Sequence, residues 1–246
     1  MLFRLNARRG EMNSVLLWEP QETAVIICDM WDDHWCKCAA QRCSELAPRV
    51  NDFVQVARAR GALVVHAPSD TMTFYSGMPQ RERAEHAPTV TPPVPITMRW
   101  IDRSREPELP IDDSDGGCDD EPPSFPGRSL PWKRQHPAIA IAEQDIISDN
   151  GGEIYNVLMG SRLKNIFVTG VHTNKCILVR SFGIRQMVML GMNVVLVRDL
   201  TDSLYNPRMP PVVSHDRGTE LIVEHIEKYW CPSIASGDVT SFKTAR

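Results

Sequence analysis

NIFVTGVHTNKC, residues 165–176, decides how the chain is read. Its first half, NIFVT, is a short apolar run with the character of a strand buried on both faces. Gly170 follows, and from Lys175 to Leu190 the spacing predicts a helix that Gly191 closes. Working outward, NVVLV at 193–197 is the next strand and ends at Asp199. Upstream, TAVIIC at 23–28 ends at Asp29, and ALVVH at 62–66 is another buried strand. Between those two, Leu46, Val50, Phe53, Val54 and Ala57 fall at near-helical spacing within 43–60, and Gly61 stops the helix. Further helices are expected at 151–163 and 220–229. Strands alternating with amphipathic helices imply right-handed crossovers, hence an α/β fold with a mainly parallel sheet covered on both faces.

The 246 residues suit one domain of this kind, expected to run from 1 to 246. From Thr89 to Pro131 the sequence turns Pro-rich and acidic, and only 96–101 suggests a strand; a long insertion or lid is expected there. A net charge of −4 gives no general attraction to nucleic acid or anionic lipid, so a small-molecule or protein partner is expected. The apolar run at 15–18 is far shorter than the ~20 residues of a membrane span and has no signal-peptide pattern, so a cytoplasmic protein is expected. Neither GxGxxG nor a Walker loop occurs, which disfavours nucleotide-driven chemistry. The seven cysteines are odd in number, so at least one is free.

In parallel sheets ligands bind beyond the carboxyl ends of the strands. Asp29, the 66–70 turn and the 170–176 turn all belong there. A thiol at a helix N-terminus feels the positive end of the helix dipole, and neighbouring backbone N–H groups can hold an oxyanion. Cys176 is therefore a candidate nucleophile; the plainer reading is a small apolar residue on a packed first turn. Asp29, a carboxylate directly after a buried strand, is costly there unless paired or facing a site.

DMWDDH, residues 29–34, resembles the DMQNDF-type opening of the isochorismatase-like cysteine hydrolases, which include the nicotinamidases. GVHTNKC resembles their GVxTxxC turn, and the resemblance runs from Thr23 to about Leu204. It implies a Rossmann-like three-layer sandwich and a Cys, Asp, Lys triad that cleaves a small carboxamide through a thioester. On that footing Cys176 is the nucleophile, Asp29 the base, and the backbone amides of His172 and Cys176 the oxyanion hole, with a cis bond between Val171 and His172. The lysine falls at PWKRQ, where Lys133 is expected to serve and Arg134 stands beside it; aligned to a strand end instead, the place goes to Asp149 or Asn150, neither of which suits. Trp31 and His34 occupy motif positions that shape a substrate pocket, with His66 and Arg134 as further lining candidates. The resemblance also implies a small amide as substrate and a homo-oligomer.

No metal and no cofactor are expected. HAPSDTM, 66–72, lacks the family's Asp-x-His pair. Cys36-x-Cys38 with Cys43 has no matching distal pair for zinc, and IDDSDGG, 111–117, lacks the distal glutamate of a calcium loop. Two other classes compete with an amidase. One is a family member that binds without catalysis; the other is a thiol redox protein using Cys36, Cys38 and Cys43, which lacks a Cys-x-x-Cys pair before a helix.

Overall fold

The computed structural model describes residues 1–127 and 129–241. The chain begins with a hairpin, β1 (Phe3–Arg9) and β2 (Met12–Trp18), turned at Gly10 and paired from Phe3 with Trp18 to Arg9 with Met12. Then come β3 (Thr23–Cys28), α1 (Lys37–Ala59), β4 (Leu63–Ala67) and the short α2 (Pro79–Glu85). After a long irregular stretch, β5 (Ile146–Ile147), α3 (Gly151–Gly160), β6 (Asn165–Val171), α4 (Cys176–Val179) and α5 (Ile184–Met189) follow. β7 (Asn193–Asp202), α6 (His215–Tyr229), β8 (Ser233–Ile234) and α7 (Gly237–Thr240) complete it.

All eight strands join one sheet in the order β2-β1-β8-β7-β6-β3-β4-β5. From β8 to β5 neighbours run parallel; only β1 pairs antiparallel, with β2 and β8. Alternate side chains divide between two cores, as the two-residue period of a strand requires. Ala24, Ile26 and Cys28 pack with residues of α3 to α6, whereas Val25 and Ile27 pack with α1 and α7. The α/β three-layer architecture is the one the strand and helix alternation implies. No helix among the described residues is long and apolar enough to cross a membrane.

Three elements differ from the sequence reading, each for a physical reason. The helix expected from Lys175 to Leu190 is two short helices. Arg180 is extended, with φ −54° and ψ 153°, and the chain crosses under Gly151. A Cβ at Gly151 would lie 2.1 Å from the Ser181 carbonyl oxygen, so this crossing needs glycine. The helix of 43–60 starts earlier, at Lys37, because the Asp120 carboxylate accepts the N–H groups of Lys37 (2.9 Å) and Cys38 (2.8 Å); a cap supplied from more than eighty residues away leaves no local signal. Residues 96–101 form no strand. They run as an irregular strap whose backbone is held by α4 and α5, Arg99 N–H to the Val179 carbonyl (2.8 Å) and Thr97 N–H to Gln186 Oε1 (3.0 Å).

The strap is anchored further on by a buried ionic knot. Glu106 accepts from Arg185 Nη2 (2.9 Å) and the Trp230 indole (2.9 Å), and lies 2.7 Å from His225 Nε2. Its next segment lies against the 170–176 turn: Asp113 takes the Asn174 amide (2.8 Å) and the Lys175 ammonium (2.8 Å).

Candidate active site

The carboxyl ends of β3 and β6 are neighbours in the sheet, with Cys28 opposite Gly170. Contact is unusually close there. Gly170 has φ +111°, and a Cβ on it would fall 2.1 Å from the Cys28 carbonyl oxygen. Only glycine allows β6 to end so near β3, and the result is that Asp29 and the 170–176 turn face each other.

Asp29 is fully buried and adopts φ +47°, an unusual conformation for a residue other than glycine. Both of its oxygens are held. Oδ1 accepts the Ser69 N–H at 2.7 Å, and Oδ2 accepts Arg180 Nε at 2.9 Å. The Cys176 thiol lies beside it, near enough for the two groups to act on each other's protons. Burial pushes the Asp29 carboxyl up, opposed by Arg180, Cys176 and Ser69. Burial, then the Asp29 charge, pushes the Cys176 thiol well up, while Arg180 and a backbone hydrogen bond from His172 oppose the rise.

Cys176 is the first residue of α4, behind the Val171–His172 peptide bond, which is cis. The N–H groups of Lys175 and Ile177 both go to the His172 carbonyl, at 3.0 and 3.2 Å. Between them, the Cys176 N–H has no acceptor among the described residues. The turn is held from behind by Asn174, whose amide oxygen accepts the Leu204 N–H (2.9 Å) and whose nitrogen donates to the Leu204 carbonyl (3.0 Å).

Arg180 is the residue the sequence reading missed. Inside one continuous helix it would have been a surface cation one turn after the cysteine. The break after Val179 instead turns it back along the thiol, with its Nη2 also 3.6 Å from Asp70. Two glycines, at 151 and 183, were the available hint: a Cβ at Gly183 would lie 2.7 Å from the Ile177 carbonyl oxygen.

Lys133 is not brought to this pair, which corrects the expectation placed on it. Residues 132–136 run beside 30–34 in an antiparallel manner, with Asp32 N–H on the Arg134 carbonyl (3.0 Å) and His136 N–H on that of Met30 (2.7 Å). This pairing turns Trp132 and Gln135 inward and leaves Lys133 and Arg134 exposed. Arg134 lies over the Phe74 ring at 5.5 Å and 3.6 Å from Asp32, on the surface. Of the alternative positions, Asn150 caps α3 by accepting the Gly152 N–H (2.8 Å), and Asp149 accepts the Asp70 N–H (2.9 Å). His66 is fully buried, with Gln135 at 2.8 Å and Asp145 at 2.9 Å on its two ring nitrogens, and does not border this cluster.

Trp31 and His34 are buried in an aromatic stack with Trp132. Trp31 stacks on Trp132 with ring centroids 4.2 Å apart and donates its indole N–H to the Ser69 carbonyl (2.9 Å). His34 stacks on Trp132 at 5.5 Å and meets His172 edge-on at 5.0 Å. Burial lowers the His34 pKa to about 4, so its ring is neutral at pH 7. On the other side, a polar cleft of about 410 Å³ opens beside Arg180, bordered by Ser69, Asp70, Asp149 and Asn150.

No family model matches the sequence, and no curated protein matches it. Solved structures do resemble the fold. A cysteine hydrolase from Pseudomonas syringae pv. phaseolicola superposes with a TM-score of 0.54 at 16% identity, covering 96% of this chain and 95% of that one. An isochorismatase from Pseudomonas putida gives 0.53 at 11% identity over 90% and 91%. An isochorismatase family protein from Burkholderia thailandensis gives 0.50 at 16% over 90% and 95%. At these identities the likeness is one of fold.

Proposed function

We propose that this chain is an isochorismatase-like cysteine hydrolase that cleaves the C–N bond of a small carboxamide, with Cys176 as nucleophile, Asp29 as base and Arg180 in the place of the expected lysine. The single observation that carries the reading is the cluster of Cys176, the buried Asp29 and Arg180, set on the 170–176 turn that the sequence resemblance implies. A cysteine hydrolase and an isochorismatase are among the proteins of similar fold, in keeping with this reading.

In this mechanism Asp29 takes the thiol proton as sulfur attacks the carbonyl carbon, and the N–H groups of His172 and Cys176 receive the oxyanion. Collapse breaks the C–N bond, Asp29 returns the proton to the departing amine, and a thioester remains. Water then gives its proton to Asp29 and attacks the thioester; the acid leaves and the thiol is restored. Arg180 stabilises the ionised form of the buried Asp29 carboxylate. It differs from lysine in presenting a fixed fork, which here spans Asp29 and Asp70.

The test is hydrolysis of a panel of small carboxamides by the parent, Cys176→Ala and Asp29→Asn. Loss of turnover in both variants, with a thioester adduct trapped on Cys176 by mass spectrometry in the parent, is expected. Full turnover by either variant overturns the assignment. One feature favours a non-catalytic binder instead: burial pushes the Cys176 thiol well up, which opposes formation of the thiolate. Alkylation of Cys176 no faster than a free thiol across pH 6–9, together with no turnover on any amide, selects that reading.

A further inference from the structure

Away from the nucleophile turn, one set of soft donors converges. Cys36 immediately precedes α1 and Cys38 lies in its first turn, while Cys118, Asp119 and Asp120 arrive on the strap. The ligand atoms of Cys36, Cys118 and Asp120 all lie within 4.8 Å of one another, and so do those of Cys38, Asp119 and Asp120. Cys36, Cys118 and Asp120 are buried.

The spacing fits a small ion. With sulfur at about 2.3 Å and oxygen at about 2.1 Å from a tetrahedral centre, the edges of the tetrahedron are roughly 3.5–3.8 Å. Cys36 Sγ lies 3.4 Å from Asp120 Oδ1 and 3.7 Å from Asp119 Oδ1. Two nearby cations are engaged with carboxylates other than Asp120. Arg42 donates to Asp119 (2.7 Å) and Asp202 (3.0 Å), and the Lys37 ammonium to Asp33 (2.7 Å). Asp120 accepts the backbone N–H groups of Lys37 and Cys38 and the Cys36 thiol.

We propose that these residues hold a thiophilic divalent cation of the zinc class, with Cys36, Cys118 and Asp120 as its three protein ligands. Thiolate ligands select such ions over magnesium or calcium. On binding, the two thiols release their protons to solvent and the ion takes the sulfur lone pairs. It ties the strap to the start of α1, a few residues from Asp113 and its contacts to Asn174 and Lys175. Local spacing suggested Cys43 as the third thiol, but that side chain faces Met30 and the Trp31 carbonyl. The proposal stands independently of any hydrolase activity.

The full chain, freed of metal with chelator and kept reduced, is titrated with Co²⁺ and then Zn²⁺. Thiolate-to-cobalt charge transfer in the near ultraviolet and tetrahedral d–d absorption are expected to saturate at one equivalent and to be displaced by zinc. The spectrum is expected to persist in Cys176→Ser and to vanish in Cys118→Ser. Should Cys118→Ser fail to fold, the unsubstituted chain still decides. Absence of charge transfer there, or its loss in Cys176→Ser, overturns the site. A Cys36–Cys118 disulfide in protein isolated without reductant also overturns it, in favour of a redox pair.

Discussion

Arg180 Nε donates to Asp29 Oδ2 at 2.9 Å, across a chain separation of 151 residues, while the opposite lobe of that carboxylate is held by Ser69. The pairing joins the end of β3 to the residue following α4, so the base and the arginine reach the thiol from different elements. Because Asp29 has no exposure, its ionised form depends on this one cation and on the hydrogen bonds around it.

Arg180→Met is therefore expected to remove about 3–5 kcal/mol of stability if Asp29 stays ionised, as for any buried pair that loses one partner. If Asp29 instead takes up a proton, the base is lost, and turnover at pH 7 falls by about 10²–10⁴. Arg180→Lys keeps the charge and loses the fork, so it is expected to recover part of both. Urea unfolding and kcat/KM on the best amide of the panel measure the two effects; parental values for Arg180→Met would remove Arg180 from the site.

Burial raises the Asp29 carboxyl above its ordinary value of 3.8. A base must be ionised, so kcat/KM is expected to fall on the acid side along a limb lying above the usual carboxylate range. The same shift acts on stability with a definite sign. The raised carboxyl stabilises the fold most fully below the unfolded pKa, and that contribution is lost as pH rises through the folded pKa. A pH–rate profile with its acid limb at or below 3.8 would assign the limb to another group.

Gly170→Ala tests the close approach of β6 to β3. Its Cβ would meet the Cys28 carbonyl oxygen at 2.1 Å in a left-handed backbone conformation. Backbone strain and overpacking each cost about 1–3 kcal/mol, so a clear drop in the unfolding midpoint is expected. Turnover should fall too, since the displacement separates Cys176 from Asp29. A variant as stable and active as the parent would show that the two strand ends can move apart freely.

Glu106 carries the opposite pH sign. Although burial works to raise it, hydrogen bonds from His225, Arg185 and Trp230 hold its pKa at about 2, below the ordinary 4.5. Its contribution to stability is present above 4.5 and is lost as pH falls toward 2. Glu106→Gln is expected to flatten the acid side of the stability curve and, by leaving Arg185 buried without its counter-charge, to cost about 3–5 kcal/mol at neutral pH. Acid titration followed by circular dichroism distinguishes the variant from the parent.

The central strands were legible because each is a β-branched run with turn residues at its end, and Asp29 and Cys176 because they stand where those runs stop. The N-terminal hairpin was less so: β1 alternates buried and exposed residues beside an exposed β2, a weaker signal than a strand buried on both faces. Arg180 escaped because its role depends on a helix break set by glycines packing against distant backbone. Lys133 was chosen by spacing, and spacing carries no information about the pairing of 132–136 with 30–34 that turns it outward. Cys118 joined Cys36 for the same kind of reason, through a strap whose course no local pattern dictates.

The borrowed cap on α1 has a consequence for the order in which the chain takes shape. Up to Cys43 the helix lacks a start signal of its own, and the groups that accept the first amides arrive only when Asp120 docks, 83 residues after Lys37. Closing so long a loop costs entropy before any contact rewards it. The first turn of α1 is then a late event tied to the seating of the strap, and in hydrogen exchange the amides of Lys37 and Cys38 should open together with residues 113–120, out of step with the rest of their own helix.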